Sequence, residues 1–193
     1  LTDGKSYDYY SVVYNGSGEG AKSNYFNIGV DTSAPSEAVS VTGFTDNVGP
    51  STGDINTSGS TTDDNTPLIF GTFSPITLDA NNAAISPLSS GEILSVYRDN
   101  VYVGAGSLTP VVDATGTITN YTWSYQENSL ASGSYSYKAQ IIDGAGNLGP
   151  LSSAFTLTVN LPISVNDISV NEGSAYSVFS LKGTVGQSVT LAL

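Results

Sequence analysis

The chain has 193 residues, with 17 acidic side chains against 5 basic ones, a formal net charge of −12, and no Cys, Met or His. That excludes disulfides, thiol chemistry, histidine-ligated metals and histidine-based catalysis. The five basic residues (Lys5, Lys22, Arg98, Lys138, Lys182) are scattered, so the chain offers no phosphate-binding track and nucleic acid is not an expected partner. No stretch approaches the roughly 18 apolar residues of a membrane span, while 39% hydrophobic residues are enough for a packed core.

Residues 1–30 read as the end of a domain. Leu1-Thr-Asp-Gly4 matches Leu130-Ala-Ser-Gly133, and Tyr7 and Tyr9 match Tyr135 and Tyr137. Gly16-Ser-Gly18 falls where Gly144-Ala-Gly146 falls, and Asn24 to Val30 matches Ser153 to Val159. This is an internal repeat, partial in its first copy. Asp31-Thr-Ser-Ala-Pro35 follows as a stiff, acid-bearing junction, because Pro35 fixes its own backbone and keeps Ala34 extended.

Ala38 to Phe44 alternates as a first strand. Thr45 to Pro67 is a long polar stretch with Asp46, Asp54, Asp63 and Asp64 and no basic residue; a loop of that length is expected to serve a function, bind ions or be disordered. Leu68 to Phe73 is a buried strand, and Ser74 to Gly91 an exposed loop. Ile93 to Tyr97 and Val101 to Val103 form a hairpin around Asp99-Asn100, residues that tolerate the left-handed turn conformation. Thr117 to Tyr125 is a strand carrying Trp123, read as a core side chain. Leu130-x-x-Gly133-x-Tyr135 is the pattern of a tyrosine corner. Tyr135, Tyr137, Ala139 and Ile141 then point inward, and Ser136, Lys138 and Gln140 outward.

Asp143-Gly-Ala-Gly-Asn147 packs two oxygen-bearing side chains and two glycines between two strands. Such a loop either holds a hard cation such as calcium with carboxylate, amide and backbone oxygens, or is a plain Gly-Asn turn. After Asn160 the character changes, so the expected organisation is 1–30 as the C-terminal part of one repeat, 31–160 as a complete sandwich, and 161–193 as the first strands of a different β-domain. The expected fold class is all-β, an immunoglobulin-like antiparallel β-sandwich in tandem.

Asp31-Thr-Ser-Ala-Pro35, Thr62-Asp-Asp-Asn-Thr-Pro67, Thr122-Trp-Ser124, Leu130-x-x-Gly133-x-Tyr135 and Asp143-Gly-Ala-Gly-Asn147 occur in this order. Together they resemble the immunoglobulin-like repeat of giant bacterial surface adhesins exported by type I secretion. Val170-Asn-Glu-Gly-Ser174 is similar to the start of another repeat class in such proteins. The resemblance implies a rod of sandwiches on the bacterial cell surface, with calcium stiffening the junctions and adhesion or biofilm formation as the role. Asp3, Asp31, Asp143 and Asn147 are expected around one inter-domain cation, and Asp46, Asp54, Asp63 and Asp64 as a further acidic set. Ser132 and Asn160 stand where Asp3 and Asp31 stand, so the second junction is expected to bind calcium more weakly. Partners would be neighbouring repeats, head-to-tail copies, or a surface glycan or protein receptor. A ligand-binding module and an accessory domain of a secreted polysaccharide-degrading enzyme are the alternatives. No intrinsic enzyme is expected: adjacent carboxylates such as Asp63 and Asp64 point to opposite faces of an extended strand, and no nucleophile elbow or phosphate loop is present.

Overall fold

A computed structural model describes residues 1–74, 77–165, 172–173 and 180–183. The Val170 to Ser174 motif falls largely outside the described residues, as does most of the expected 161–193 domain. The first strands are β1 (Ser6–Tyr9), β2 (Tyr14–Asn15), β3 (Gly18–Glu19) and β4 (Phe26–Gly29). Then come β5 (Ala38–Asp46), β6 (Gly53–Ile55), β7 (Ser60–Thr62), β8 (Leu68–Ser74), β9 (Ile93–Arg98) and β10 (Val101–Ala105). These are followed by β11 (Ser107–Val112), β12 (Ile118–Gln126), β13 (Gly133–Ile142), β14 (Phe155–Val159), β15 (Ser164–Val165) and β16 (Leu181–Lys182). Every regular element among the described residues is a strand.

Two five-stranded sheets form a sandwich-like body, one in the order β10-β9-β13-β14-β7 and the other β11-β12-β8-β5-β6. The core lies where their inner faces meet. Val39, Phe44, Ile69 and Trp123 come from one sheet, and Leu94, Val96, Tyr137, Ala139, Ile141, Phe155, Leu157 and Val159 from the other. The period-2 alternation produces this directly, since Tyr137, Ala139 and Ile141 of β13 and every second side chain of β14 are buried. Trp123 packs close over Gly71, where an added Cβ would stand 2.6 Å from the indole nitrogen; only glycine leaves the ring that space. The Asp99-Asn100 turn forms as expected, with both residues at positive φ (53° and 65°) and the strands in register across it.

Three features differ from the sequence reading. The Thr45–Pro67 stretch is not structureless: β6 folds back on β5 through Thr45↔Asp54, and β7 joins β14 in parallel. Positive φ at Gly49, Gly53 and Gly59 makes these reversals possible. Strand β11 was not expected; it is an edge strand on β12 and tolerates Pro110 because an edge position has a side that needs no backbone donor. The 74–91 loop is partly docked, since Ala84 is buried and its amide bonds the Ile118 carbonyl at 2.7 Å.

The tyrosine-corner hydrogen bond is present: the Tyr135 hydroxyl donates to the Ala131 carbonyl at 2.9 Å. At the matching place Tyr7 accepts from the Thr2 amide at 2.8 Å. Strand pairing matches too. Tyr7 faces Ile28 and Tyr9 faces Phe26, as Tyr135 faces Leu157 and Tyr137 faces Phe155. The environments differ. Tyr137 and Phe155 are 0% and 6% exposed under the second sheet, whereas Tyr9 and Phe26 are 45% and 68% exposed.

Candidate functional site

Strand directions place the expected site residues at two opposite ends of the sandwich. Ala38 pairs with Ser74 at one end, and Thr45 with Leu68 at the other. The first end holds the start of β5, the end of β13 and the junction with residues 1–30. The second holds the end of β5, the loop before β8 and the exit from β14.

At the first end, the Asp3 carboxylate accepts the Thr32 amide at 2.6 Å and the Ser33 hydroxyl at 2.6 Å. On the other side of the same linker, the Asn147 side-chain amide donates to the Asp31 carbonyl at 3.1 Å and to the Asp143 carboxylate at 2.8 Å. Asp143 also accepts the Ala145 and Asn147 amides of its own loop. The Asp31 carboxylate caps the Ser33 amide at 3.0 Å. Asp31 and Asp143 face an open cleft of about 880 Å³, whose rim also carries Glu37, Glu92, Lys5 and Ser33. The four residues expected here are therefore brought to one junction. As placed, the Asp3 and Asp143 carboxylates accept from backbone and side-chain donors, and the Asp143 loop is a hydrogen-bonded turn in its own right.

The same hydrogen bonds set the electrostatics. The Ser33 hydroxyl, with the Thr32 amide second, holds the Asp3 carboxyl below its ordinary range. The Asn147 side-chain amide does the same for Asp143, with help from the Asn147 and Ala145 amides. A depressed carboxyl stabilises the folded junction above its unfolded value, and that contribution is lost as the pH falls through the folded one. Acidification below about pH 4 is therefore expected to free the 31–35 linker while the sandwich persists. Hydrogen exchange of the Thr32 and Ser33 amides, read against core amides of β13, checks this. Equal protection of both across that range would contradict it.

At the second end, Asp64 is fully buried. Its carboxylate accepts the Thr66 amide at 2.7 Å, the Thr66 hydroxyl at 3.1 Å and the Asn47 amide at 3.3 Å. Asp46 is 5% exposed and accepts the Val48 amide at 3.1 Å. Asp63 is half-buried with its carboxylate against Gly49, where a Cβ would come within 2.5 Å. Asp54 stands apart, exposed on β6 and bonded to the Thr45 hydroxyl at 2.6 Å. Among the described residues the salt bridge is Arg98–Glu127, so neither buried carboxylate of this end has a basic partner among them.

At the exit from this end one hydrogen bond of the first junction recurs. The Leu161 amide donates to the Ser132 hydroxyl at 3.1 Å, as the Thr32 amide donates to Asp3. The Asn160 amide donates to the Thr62 carbonyl at 2.8 Å, and Leu161 packs against the core. As the side chains are placed, no three carboxylates among the described residues stand together closely enough to hold a metal ion. In donor type, the Asp46, Asp63 and Asp64 set suits a hard cation: oxygen ligands on a glycine-bearing loop, with two buried charges that a cation would neutralise.

Sequence reasoning missed one polar centre. Glu127 is 3% exposed. It accepts from Arg98 at 2.8 Å, from the buried Tyr137 hydroxyl at 2.9 Å and from the Asn128 amide at 3.1 Å. Arg98 also lies over the Tyr135 ring at 5.7 Å. Glu127 follows β12 in one sheet, while Arg98 and Tyr137 belong to the other, so this network ties the two sheets together.

No protein-family model matches the chain. No curated protein matches it as a relative either. No helix among the described residues is long and apolar enough to cross a membrane.

Proposed function

We propose that this chain is part of the stalk of a bacterial cell-surface adhesin, built of immunoglobulin-like sandwich repeats in tandem and stiffened by calcium at the junctions, in attachment or biofilm formation. The observation that carries this reading is the two-sided grip on the 31–33 linker. Asp3 holds its Thr32 amide and Ser33 hydroxyl from the side of residues 1–30, and Asn147 holds its Asp31 carbonyl from the sandwich. A linker held from both bodies sets their relative orientation, which a spacer needs and a flexible tether does not. The matched Leu161–Ser132 bond and the matched registers of β1–β4 and β13–β14 support a repeat.

In a tandem array the second end of one repeat meets the first end of the next. A junction between two such repeats would then combine an Asp46, Asp63 and Asp64 set from the preceding repeat with an Asp31, Asp143 and Asn147 set from the following one; at the exit of this sandwich Asn160 replaces the Asp31 carboxylate. Calcium bound there would neutralise carboxylates that otherwise repel one another in a chain of net charge −12. No residue is assigned a catalytic role in this reading.

Small-angle scattering of the chain, in calcium and in magnesium at equal ionic strength, tests the proposal. Calcium is expected to narrow the distribution of maximum dimensions around an extended form, and Asp143→Ala to abolish that narrowing. Identical profiles in the two ions would remove calcium from the junction and leave a stalk held by hydrogen bonds alone.

A further inference from the structure

We propose that the outer face of the β9–β13 pair carries a subsite for a neutral pyranose sugar, separate from the acidic ends. The starting observation is Gln140. It lies on the solvent side of β13, between the inward-facing Ala139 and Ile141, and yet is 8% exposed. It lines a groove of about 260 Å³ together with Tyr97, Leu148, Leu151, Asn100 and Lys138. The Gln140 amide donates to the Tyr97 hydroxyl at 3.0 Å. The Tyr97 ring is braced by Tyr102, edge to face with centroids 6.0 Å apart. The Lys138 ammonium is anchored on Asn100 at 3.1 Å, and Asn100 is itself fixed by the left-handed hairpin turn. Each polar group is thus pinned by one partner and keeps further hydrogen-bonding capacity: an ammonium has three donors, and a phenol both donates and accepts. The flanking Leu148 and Leu151 are 58% and 52% exposed.

The chemistry of this lining selects the ligand. A pyranose presents an apolar C–H face, which suits the negative face of an aromatic ring, and hydroxyls at its edge, which suit amide, phenol and ammonium together. An apolar peptide side chain seated here would cover the Tyr97 hydroxyl and the Lys138 ammonium without replacing their water, and that is costly. A polyanion would approach against the field of a chain with net charge −12. A cationic ligand would find Lys138 and no carboxylate in the lining. A pocket of one-ring size with few directed polar groups holds a single sugar weakly and gains strength when several copies act together along a stalk.

The test is a titration of the chain with methyl glycosides of glucose, galactose and mannose. It is followed by saturation-transfer NMR on the sugar, by the backbone amide signals of Lys138 and Gln140 and by the side-chain amide signal of Gln140. At least one glycoside is expected to give saturable shifts at both residues, with its ring protons saturated from one face. Tyr97→Ala and Lys138→Ala should each weaken binding by about tenfold or more. Lys138 is a solvent-side residue, so its variant keeps the question open to measurement if Tyr97→Ala unfolds. Absence of saturable shifts with all three sugars would overturn the proposal, as would shifts unchanged in Lys138→Ala. Because the groove shares no residue with the acidic ends, the result stands apart from the calcium response.

Discussion

Glu127→Ala is expected to destabilise the sandwich by about 3 kcal/mol, lowering its melting temperature by roughly 10 °C. The reason is what the substitution leaves behind. Tyr137 is fully buried and its hydroxyl donates to Glu127, so alanine strands a buried donor. The Arg98 guanidinium loses its carboxylate but is partly solvated, with 30% of its side chain exposed, which keeps the loss at the lower end for a broken buried pair. Glu127→Gln, which preserves shape and an acceptor, should cost about half as much. Tyr137→Phe should cost about 1 kcal/mol at neutral pH, because it leaves one carboxylate oxygen without its donor. A double-mutant cycle between positions 127 and 137 should return a coupling near 1 kcal/mol or more. Additive effects would show that the two sheets are not tied at this point.

The same centre has a pH signature. Burial, and then the negative charge of Glu127, push the Tyr137 hydroxyl far above the ordinary tyrosine range. A raised folded-state value means that the contribution of the neutral phenol is whole below about pH 10 and is lost as the pH climbs through the folded value. Alkaline unfolding should therefore coincide with ionisation of Tyr137 in an absorbance titration. Tyr137→Phe, although weaker at neutral pH, should hold its fold further into alkali.

How much of this was legible in the residues depends on the range of the signal. Strands β12, β13 and β14 alternate with large apolar side chains, β5 begins in the same way, β8 is a short apolar run, and the tyrosine corner is written within six residues, so all were readable. Strand β11 was not, because Pro110 and an exposed, mixed composition mark no face; it exists because β12 offers an edge. Strand β7 is three polar residues whose pairing depends on β14, nearly a hundred positions away. The first junction was readable because Asp3, Asp31, Asp143 and Asn147 lie in loops whose ends follow from strand order. Their hydrogen bonds to one another and to the linker were not. Gln140 shows the limit of periodicity: its direction along β13 was correct, and its burial comes from Tyr97 and the leucines after the 143–147 loop. Glu127 carries no local signal, since nothing in its neighbourhood announces that Arg98 will stand beside it.

Asp46→Asn is expected to raise the calcium-free melting temperature by a few degrees while removing most of the rise expected from calcium under the proposed function. Asp46 and Asp64 are both buried, and desolvating a carboxylate without a cation costs several kcal/mol. Asparagine keeps the oxygen that accepts the Val48 amide and removes one of the two charges, so the ion-free fold gains. The wild-type chain should gain about 2.7 kcal/mol when calcium is at a hundred times its dissociation constant. Magnesium, which demands tighter octahedral geometry and gives up water reluctantly, should do far less. Asp54→Asn is the comparison, because that carboxylate is exposed on β6 and bonded to Thr45; it should leave both the ion-free stability and the calcium response nearly unchanged. Opposite signs for one substitution with and without the ion are hard to produce by any route other than direct neutralisation. A calcium response retained in full by Asp46→Asn would move the ion to the cleft at the other end, where Asp143→Ala reports on it. A fall in ion-free stability would mean that the hydrogen bonds of the 46–49 turn outweigh the charge they hold.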